Sequence, residues 1–140
     1  MGSSPTGFTM ETRYIGSLGE RIAEKCLRDK GYQILDRNYC FRLPGSPQKG
    51  EIDIVAKKAD IISFVEVKTL RLTSFVWGKA FSPEVKVNFG KQRKLIKTAE
   101  SWLMTKKIPL NSKWQIDVIS VMIKGRKARI SHFENAIAYA

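Results

Sequence analysis

The chain has few of the residues that build disulfide frameworks, zinc sites or membrane spans. Its two cysteines, Cys26 and Cys40, do not form a C-x-x-C pair, so neither a disulfide scaffold nor a cysteine-based zinc site is expected. The only histidine, His132, is expected to cap or pack rather than to bind metal. No run approaches the ~20 apolar residues of a membrane-spanning helix, and the first residues lack the features of a secretory signal. We therefore expect a cytoplasmic protein without a membrane partner.

Acidic residues are also scarce, because 13 Asp and Glu stand against 25 Lys and Arg and leave a net charge of +12. Such an excess favours a polyanionic partner, with nucleic acid first and an anionic membrane second. Charge reports affinity and not chemistry, so a merely basic surface is an alternative. Length and composition predict a flexible N-terminal arm or vector-derived remnant over residues 1–13 and a single domain over residues 14–140.

Hydrophobic periodicity predicts an α/β fold in three layers, with a central mixed sheet flanked by helices in the order α-β-β-β-α-β. The first helix is expected from Thr12 or Ser17 to Lys30, with Gly31 as its C-cap. Residues 70–86 read as a long loop over the sheet. The other expected elements are strands at about 32–42, 50–56, 61–68 and 114–123, a helix at 88–106 and a weaker strand at 128–133.

One predicted strand, Ile61–Lys68, is apolar on both alternating faces and still carries an acid and a base. Its composition is typical of a central strand that is covered on both sides. Side chains alternate along a strand, so Glu66 and Lys68 point the same way as Ile62 and Phe64. Buried charges are costly unless they are paired or bound to metal. The alternative is an ordinary ion pair on an exposed face, which the surrounding apolar residues disfavour.

The preceding strand supplies a second carboxylate, Asp53, and completes the pattern Asp, twelve residues, Glu-x-Lys. Asp53 and Glu66 on neighbouring strands provide the hard oxygen ligands that Mg²⁺ prefers, and the backbone carbonyl of Val67 is a further candidate ligand. A metal there lowers the pKa of a bound water and polarises a phosphoryl oxygen. Lys68 can hold the attacking water and offset the charge that develops on the phosphate. The pattern therefore indicates a metal-dependent phosphodiester hydrolase.

Two helical residues are candidates for the same site. Gln92 begins the core-facing stripe of the long helix, where it can contact the metal-bound water or phosphate, or else hydrogen-bond the sheet. Its neighbours Lys91, Arg93, Lys94 and Lys97 are expected to point outward. Glu20 borders the buried face of the first helix and is either a metal ligand or, with Ser17, part of a capping box.

Two further acids lie on strands. Asp117 stands among apolar residues and is expected to be a buried hydrogen-bond acceptor that holds a loop or a helix end, with a distant metal ligand as the alternative. Glu51 alternates with Ile52 and Ile54, as Asp53 does, so the two acids are expected to share a face. Glu51 is expected to support the site indirectly or to form a salt bridge in the hairpin.

The chain resembles the YraN-like proteins, predicted nucleases of the restriction-endonuclease-like PD-(D/E)xK fold, and more distantly archaeal Holliday-junction resolvases. The resemblance covers about Gly16 to Phe133. It is carried by these segments: Gly19-Glu20 with Ala23, Gly31-Tyr32, Arg37-Asn38, Gly50 to Ala56, Phe64 to Thr69, Lys91 to Leu95 and Asp117 to Ile119.

The resemblance implies that Glu20, Asp53, Glu66, Lys68 and Gln92 converge on one site that binds Mg²⁺ or Mn²⁺ and acts on DNA. The leading hypothesis is a deoxyribonuclease of repair or recombination, selective for DNA structure, for which a homodimer is one expected assembly. The alternatives are a DNA-binding module without activity and a protein-interaction scaffold. Phosphate contacts are expected from Lys91, Arg93, Lys94 and Lys97 on the long helix and from Arg71 and Lys79 in the loop.

Overall fold

The computed structural model describes residues 10–42, 44–45, 49–71 and 89–137. The predicted loop residue Lys79 and most of the long loop lie outside these ranges. The elements, in chain order, are α1 (Met10–Asp29), β1 (Gln33–Arg42), β2 (Lys49–Lys58), β3 (Ile61–Arg71), α2 (Phe89–Thr105), β4 (Trp114–Lys124) and β5 (Lys127–Phe133). Within the described ranges, no helix is both long and apolar enough to cross a membrane.

The five strands form one mixed sheet in the order β1-β2-β3-β4-β5, and β3 is its central strand. β1, β2 and β3 pair antiparallel, β3 and β4 pair parallel, and β5 returns antiparallel to β4. Because β3 and β4 are parallel, a long crossover connection must join them, and this connection contains α2. This arrangement confirms the predicted α/β architecture, and the weaker strand expected at 128–133 is β5.

The two helices cover opposite faces of the sheet and define two hydrophobic cores. The α1 core contains Ala23 and Leu27 packed with Ile54 and Val65. The α2 core contains Leu95, Ala99, Trp102 and Leu103, packed on the sheet residues Ile52, Val55, Ile62, Phe64 and Ile116. The buried face expected for the first helix and the core-facing stripe expected for the long helix are confirmed, and β3 contributes to each core as its double-sided composition predicts.

α1 begins earlier than predicted and ends at Asp29, one residue before the predicted Lys30. It starts at Met10, so residues 10–13, which the sequence assigned to an arm, are helical. Gly31 has a φ of +92°, the Gly31 N–H donates to the Arg28 carbonyl and the Tyr32 N–H donates to the Leu27 carbonyl. This is the Schellman arrangement that satisfies the last carbonyls of a helix.

Two glycines allow the helices to approach the strand ends closely. A Cβ on Gly19 of α1 would lie 1.9 Å from Thr69 Oγ1 of β3, and a Cβ on Gly50 of β2 would lie 1.9 Å from Thr98 Oγ1 of α2. Neither position has room for a side chain, so the close approach of each helix to the sheet requires glycine there. As a result, Glu20 and the start of α2 lie near the ends of β2 and β3.

Candidate active site

The centre of the site is Glu66, which is only 7% exposed. It follows Phe64 on β3 and lies towards α2, as strand alternation predicts. Its Oε1 accepts from Lys68 Nζ at 3.2 Å and from Lys91 Nζ at 2.5 Å. Its Oε2 is buried and has no hydrogen-bond partner among the described residues. Burial excludes the exposed ion-pair alternative and leaves a carboxylate with one oxygen saturated and the other unsatisfied.

Asp53 lies where the β2–β3 ladder ends. The paired register runs from Lys58↔Ile61 to Ile54↔Val65, and beyond it Asp53 Oδ2 accepts the Val67 N–H at 2.7 Å. The carboxylate thus replaces the missing strand partner. Burial, opposed by that hydrogen bond and reinforced by the nearby negative charge of Glu66, raises the pKa of Asp53 to about 6. The site therefore contains two carboxylates whose charges repel each other.

The alternation expected along β2 does not hold at this point. Ile52 packs in the α2 core and Ile54 in the α1 core, although residues two apart in a regular strand share a face. β1, which pairs with β2 along this stretch, is irregular as well, since its Asn38 has a φ of +51°. Glu51 is exposed and its Oε1 lies 3.3 Å from Lys49 Nζ, which matches the salt-bridge alternative for that residue.

Lys91 is placed differently from the expectation. The helical wheel directs it outward, but its ammonium reaches Glu66 and its side chain is 39% exposed. Burial, and next the neighbouring ammonium of Lys91, lower the pKa of Lys68 in spite of its bond to Glu66. Burial alone would lower the pKa of Lys91, but hydrogen bonding to Glu66 raises it. Two lysines therefore share one carboxylate oxygen.

Glu20 lies on the α1 side of the same strand ends and is partly buried. Burial and the negative charges of Asp53 and Glu51 raise its pKa, so it is electrostatically coupled to the site. Because α1 starts at Met10, Ser17 is inside the helix and the capping-box alternative for Glu20 is excluded. Ligation of a metal by Glu20 stays a prediction.

The remaining predicted residues lie on or near α2. Gln92 is half-buried in the first turns of α2, next to Lys91. Arg93, Lys97 and Arg71 are exposed, and Lys94 is half-buried beside Gly50. Their predicted roles at phosphates, and the ligand role of the Val67 carbonyl, stay predictions. Asp53, Glu66, Lys68 and Lys91 are called the Glu66 cluster below.

A second group, Asp117, His132 and Glu134, could hold a metal ion, because its ligand atoms lie within 4.8 Å of one another. It is the one group of three such side chains found at that spacing in the described ranges, and Glu20, Asp53 and Glu66 do not gather so closely. No metal identity follows from it.

The oxygens of Asp117 are fully engaged. They accept from Gln115 Nε2, the Asn135 N–H and His132 Nε2, each at 2.9 Å. His132 Nδ1 lies 3.2 Å from Lys30 Nζ, and Tyr32 donates its hydroxyl to Glu134 at 3.2 Å. These residues are called the Asp117 network. The expectation that Asp117 is a buried acceptor is confirmed.

Sequence reasoning considered Asp117 as a distant metal ligand but did not group it with His132 and Glu134, and it missed the inward reach of Lys91. A signal existed for the network, because the turn at Gly125 pairs Lys124 with Lys127 and places His132 opposite Ile119. Extending that register by two residues brings Glu134 beside Asp117. For Lys91 the signal was weaker, since only its place beside Gln92 near the helix start pointed to the site.

The fold and the Glu66 cluster define an α/β protein with a three-layer core and a buried, lysine-bound carboxylate at the end of its central strands. The profile of the uncharacterised protein family UPF0102 matches residues 19–121. The chain belongs to this family, which is that of the YraN-like proteins. The match begins inside α1 and ends inside β4, and it includes β1, β2, β3, α2 and every residue of the Glu66 cluster.

Relatives from several bacteria align with most of the chain. The UPF0102 protein of Alkaliphilus oremlandii is 40% identical over 124 residues, which are 87% of this chain and 96% of the relative. That of Clostridium tetani is 41% identical over 111 residues, 79% of this chain and 80% of the relative. That of Myxococcus xanthus is 35% identical over 126 residues, 90% of each chain.

Proposed function

We propose that the protein is a Mg²⁺- or Mn²⁺-dependent deoxyribonuclease that hydrolyses DNA phosphodiester bonds at the Glu66 cluster. The observation that carries the proposal is the buried Glu66 Oε2, which has no hydrogen-bond partner among the described residues. An unsatisfied buried carboxylate oxygen is costly, and a cation is the partner that would remove this cost. Asp53, the adjacent carboxylate on β2, supplies a second ligand of the same type.

The residues present fit a hard divalent cation. Mg²⁺ is usually held by one or two carboxylates and keeps several waters, which suits Asp53 and Glu66 with the Val67 carbonyl as a third candidate. A bound divalent cation would polarise a phosphoryl oxygen and acidify a water. It would also offset the negative charge of Glu66, which adds to burial in raising the pKa of Asp53.

Lys68 is the proposed hydrogen-bond donor to the attacking water and to the phosphate oxygen that gains charge. Its ammonium is held beside the carboxylate by its 3.2 Å bond to Glu66, and its side chain is 41% exposed, so solvent and substrate reach it. A positioned cation acts most strongly where the transition state develops negative charge. Gln92, half-buried next to Lys91 on α2, is proposed to help orient the water or the phosphate.

DNA is the proposed substrate because a polyanion matches the net charge of +12. Arg93 and Lys97 lie exposed on α2, the helix that also provides Lys91 to the site. The N-terminal end of a helix attracts phosphate through its unpaired N–H groups and its dipole. Lysine and arginine contacts to phosphate make such binding strongly dependent on salt.

A second candidate function is DNA binding without cleavage. The observation that favours it is the charge balance at Glu66, where two ammonium groups already compensate one carboxylate through Oε1. A buried carboxylate paired in this way can be purely structural. Under this alternative, DNA binds with a steep salt dependence and stays intact in every divalent metal.

The test is cleavage of duplex, single-stranded, flapped and four-way DNA in Mg²⁺ or Mn²⁺ by the wild type, Asp53→Ala and Lys68→Ala. The matched control is Asp60→Ala, which removes an exposed carboxylate in the β2–β3 turn. We expect cutting by the wild type and the control, and a loss of at least about 100-fold in both site variants. Intact DNA across the panel, with binding preserved, would replace this proposal by the second candidate.

A further inference from the structure

The two oxygens of Glu66 have different environments, and Lys91 contributes most to the difference. Oε1 receives both ammonium groups, with Lys91 the closer at 2.5 Å and Lys68 at 3.2 Å. Oε2 is buried without a partner among the described residues. Two positive charges that share one oxygen repel each other. The carboxylate is therefore over-compensated at Oε1, whereas Oε2 can accept a further cation.

Lys91 and Lys68 reach Glu66 from different elements. Lys91 lies in the first turn of α2, where the helix dipole disfavours a cation, whereas Lys68 extends from the same strand as Glu66. No acidic residue stands in that first turn to compensate Lys91 locally. Its long side chain is 39% exposed and projects from the helix that carries the exposed Arg93 and Lys97.

We propose that Lys91 is an exchangeable counter-ion of Glu66, which occupies the carboxylate before a divalent metal binds and moves to a DNA phosphate when the metal arrives. This inference rests on the proposed function, because it takes the Glu66 cluster as the metal site. Lys91 is thereby a positioning residue with two partners in succession. It changes from a competitor of the metal into a contact of the substrate.

The exchange couples metal binding to DNA binding. As long as Lys91 stays on Glu66, the metal must displace a positive charge, so its affinity for the DNA-free protein is reduced. When a phosphate takes up the ammonium, that penalty disappears and the metal binds more tightly. Such a coupling is reciprocal, so the metal raises the affinity for DNA by the same factor. The exchange keeps the metal affinity of the proposed nuclease low until DNA is bound.

The experiment measures Mn²⁺ affinity calorimetrically in the absence of DNA, for the wild type, Lys91→Met, Lys91→Arg and Lys97→Met. Lys97→Met is the matched control, because it also removes one positive charge from α2 but at an exposed position. We expect Lys91→Met to bind Mn²⁺ about fivefold more tightly or better. Lys97→Met, screened by solvent, is expected to change the affinity by less than about twofold, and Lys91→Arg to stay near the wild type.

Unchanged or weaker Mn²⁺ binding by a folded Lys91→Met would overturn the inference, since the lysine would then support the metal site instead of competing for it. Failure of the two proposals is distinguishable. If the wild type binds Mn²⁺ through Glu66 but cuts no DNA, the nuclease proposal fails while a tighter Lys91→Met would still support the exchange. If the wild type cuts DNA and Lys91→Met leaves the affinity unchanged, only the exchange fails. A wild type that binds no Mn²⁺ at all overturns both.

Discussion

Two buried carboxylates on adjacent parallel strands, Glu66 of β3 and Asp117 of β4, differ in how their oxygens are satisfied. In the register, Glu66 lies beside Val118 and Asp117 beside Val65, so the two acids are one residue apart along the sheet. Asp117 has three donors spread over both oxygens. Glu66 has two ammonium groups on one oxygen and no partner among the described residues on the other.

The difference separates a structural carboxylate from one that retains binding capacity. The donors to Asp117 come from β4, β5 and the turn that follows, so the acid ties these three segments together. The donors to Glu66 are lysines whose side chains are 39–41% exposed and can leave. We expect substitutions at Asp117 to act on stability and substitutions in the Glu66 cluster to act on ligand binding.

The largest effect is expected for Asp117→Ala. It leaves the donors of Gln115, His132 and Asn135 without their acceptor, and removing one member of a buried charged network costs about 3–5 kcal/mol of the unfolding free energy. Urea denaturation measures this loss, and a chain that fails to fold counts as the same result. Asp60→Ala, at the exposed end of an ion pair with Lys113, is the control and should change little. A loss below about 1 kcal/mol for Asp117→Ala would contradict the structural role assigned to Asp117.

The next effect separates the two clusters as metal sites. A metal that binds the folded state at 100 times its Kd stabilises it by about 2.7 kcal/mol. We expect Mn²⁺ to raise the melting temperature of the wild type and of His132→Ala, but not that of Glu66→Gln. Calorimetric melts with and without Mn²⁺ test this. The opposite result, loss of the shift in His132→Ala alone, would place the metal at Asp117, His132 and Glu134.

A smaller effect is expected for Asp53→Asn in metal-free buffer. The folded-state pKa of Asp53 is raised from 3.8 to about 6, so folding favours the protonated acid. The stability contributed by this group is complete below pH 3.8 and is lost as pH rises through about 6. At pH 8 with EDTA, Asp53→Asn should therefore be more stable than the wild type, by about 1–2 kcal/mol once partial solvent access is allowed for.

The pH dependence of that gain is the control for Asp53. The gain should shrink as pH falls towards 4, because the wild-type carboxyl is then protonated in the folded state. Asp60 has the opposite sign, since hydrogen bonding to Lys113 lowers its pKa, and Asp60→Asn should be slightly less stable above its pKa. Equal stability of Asp53→Asn and the wild type at pH 8 would show that the cluster tolerates its charge without metal.

The smallest effect concerns Ser17 and bears on whether Glu20 belongs to the Glu66 cluster. An N-cap serine replaced by alanine loses about 1 kcal/mol, but Ser17 lies inside α1 and is exposed. Ser17→Ala should therefore keep the wild-type stability or gain a few tenths of a kcal/mol, because alanine is the better helix former. A stability loss near 1 kcal/mol for Ser17→Ala in thermal melts would support the capping interpretation and argue against a role for Glu20 at the site.

The sequence by itself determined the elements and the inward-facing residue types. The apolar runs set the strands, the stripes of α1 and α2 set the two cores, and strand alternation was enough to place Glu66 on the face of Ile62 and Phe64. Gly31 predicted the end of α1 because a Schellman motif requires a residue that adopts positive φ without strain. These features are local, so propensity and periodicity carry them.

Only the tertiary structure decided how the charges are partnered. The wheel directs the Cα–Cβ bond of Lys91 outward, yet its long side chain bends inward to meet the buried carboxylate of Glu66. The alternation of β2 breaks at Asp53 because the ladder with β3 ends there and the carboxylate takes the Val67 N–H instead. The Asp117 network joins residues 15 and 18 positions apart. Such partnerships depend on which buried groups meet across the fold, and that is set by packing rather than by local sequence.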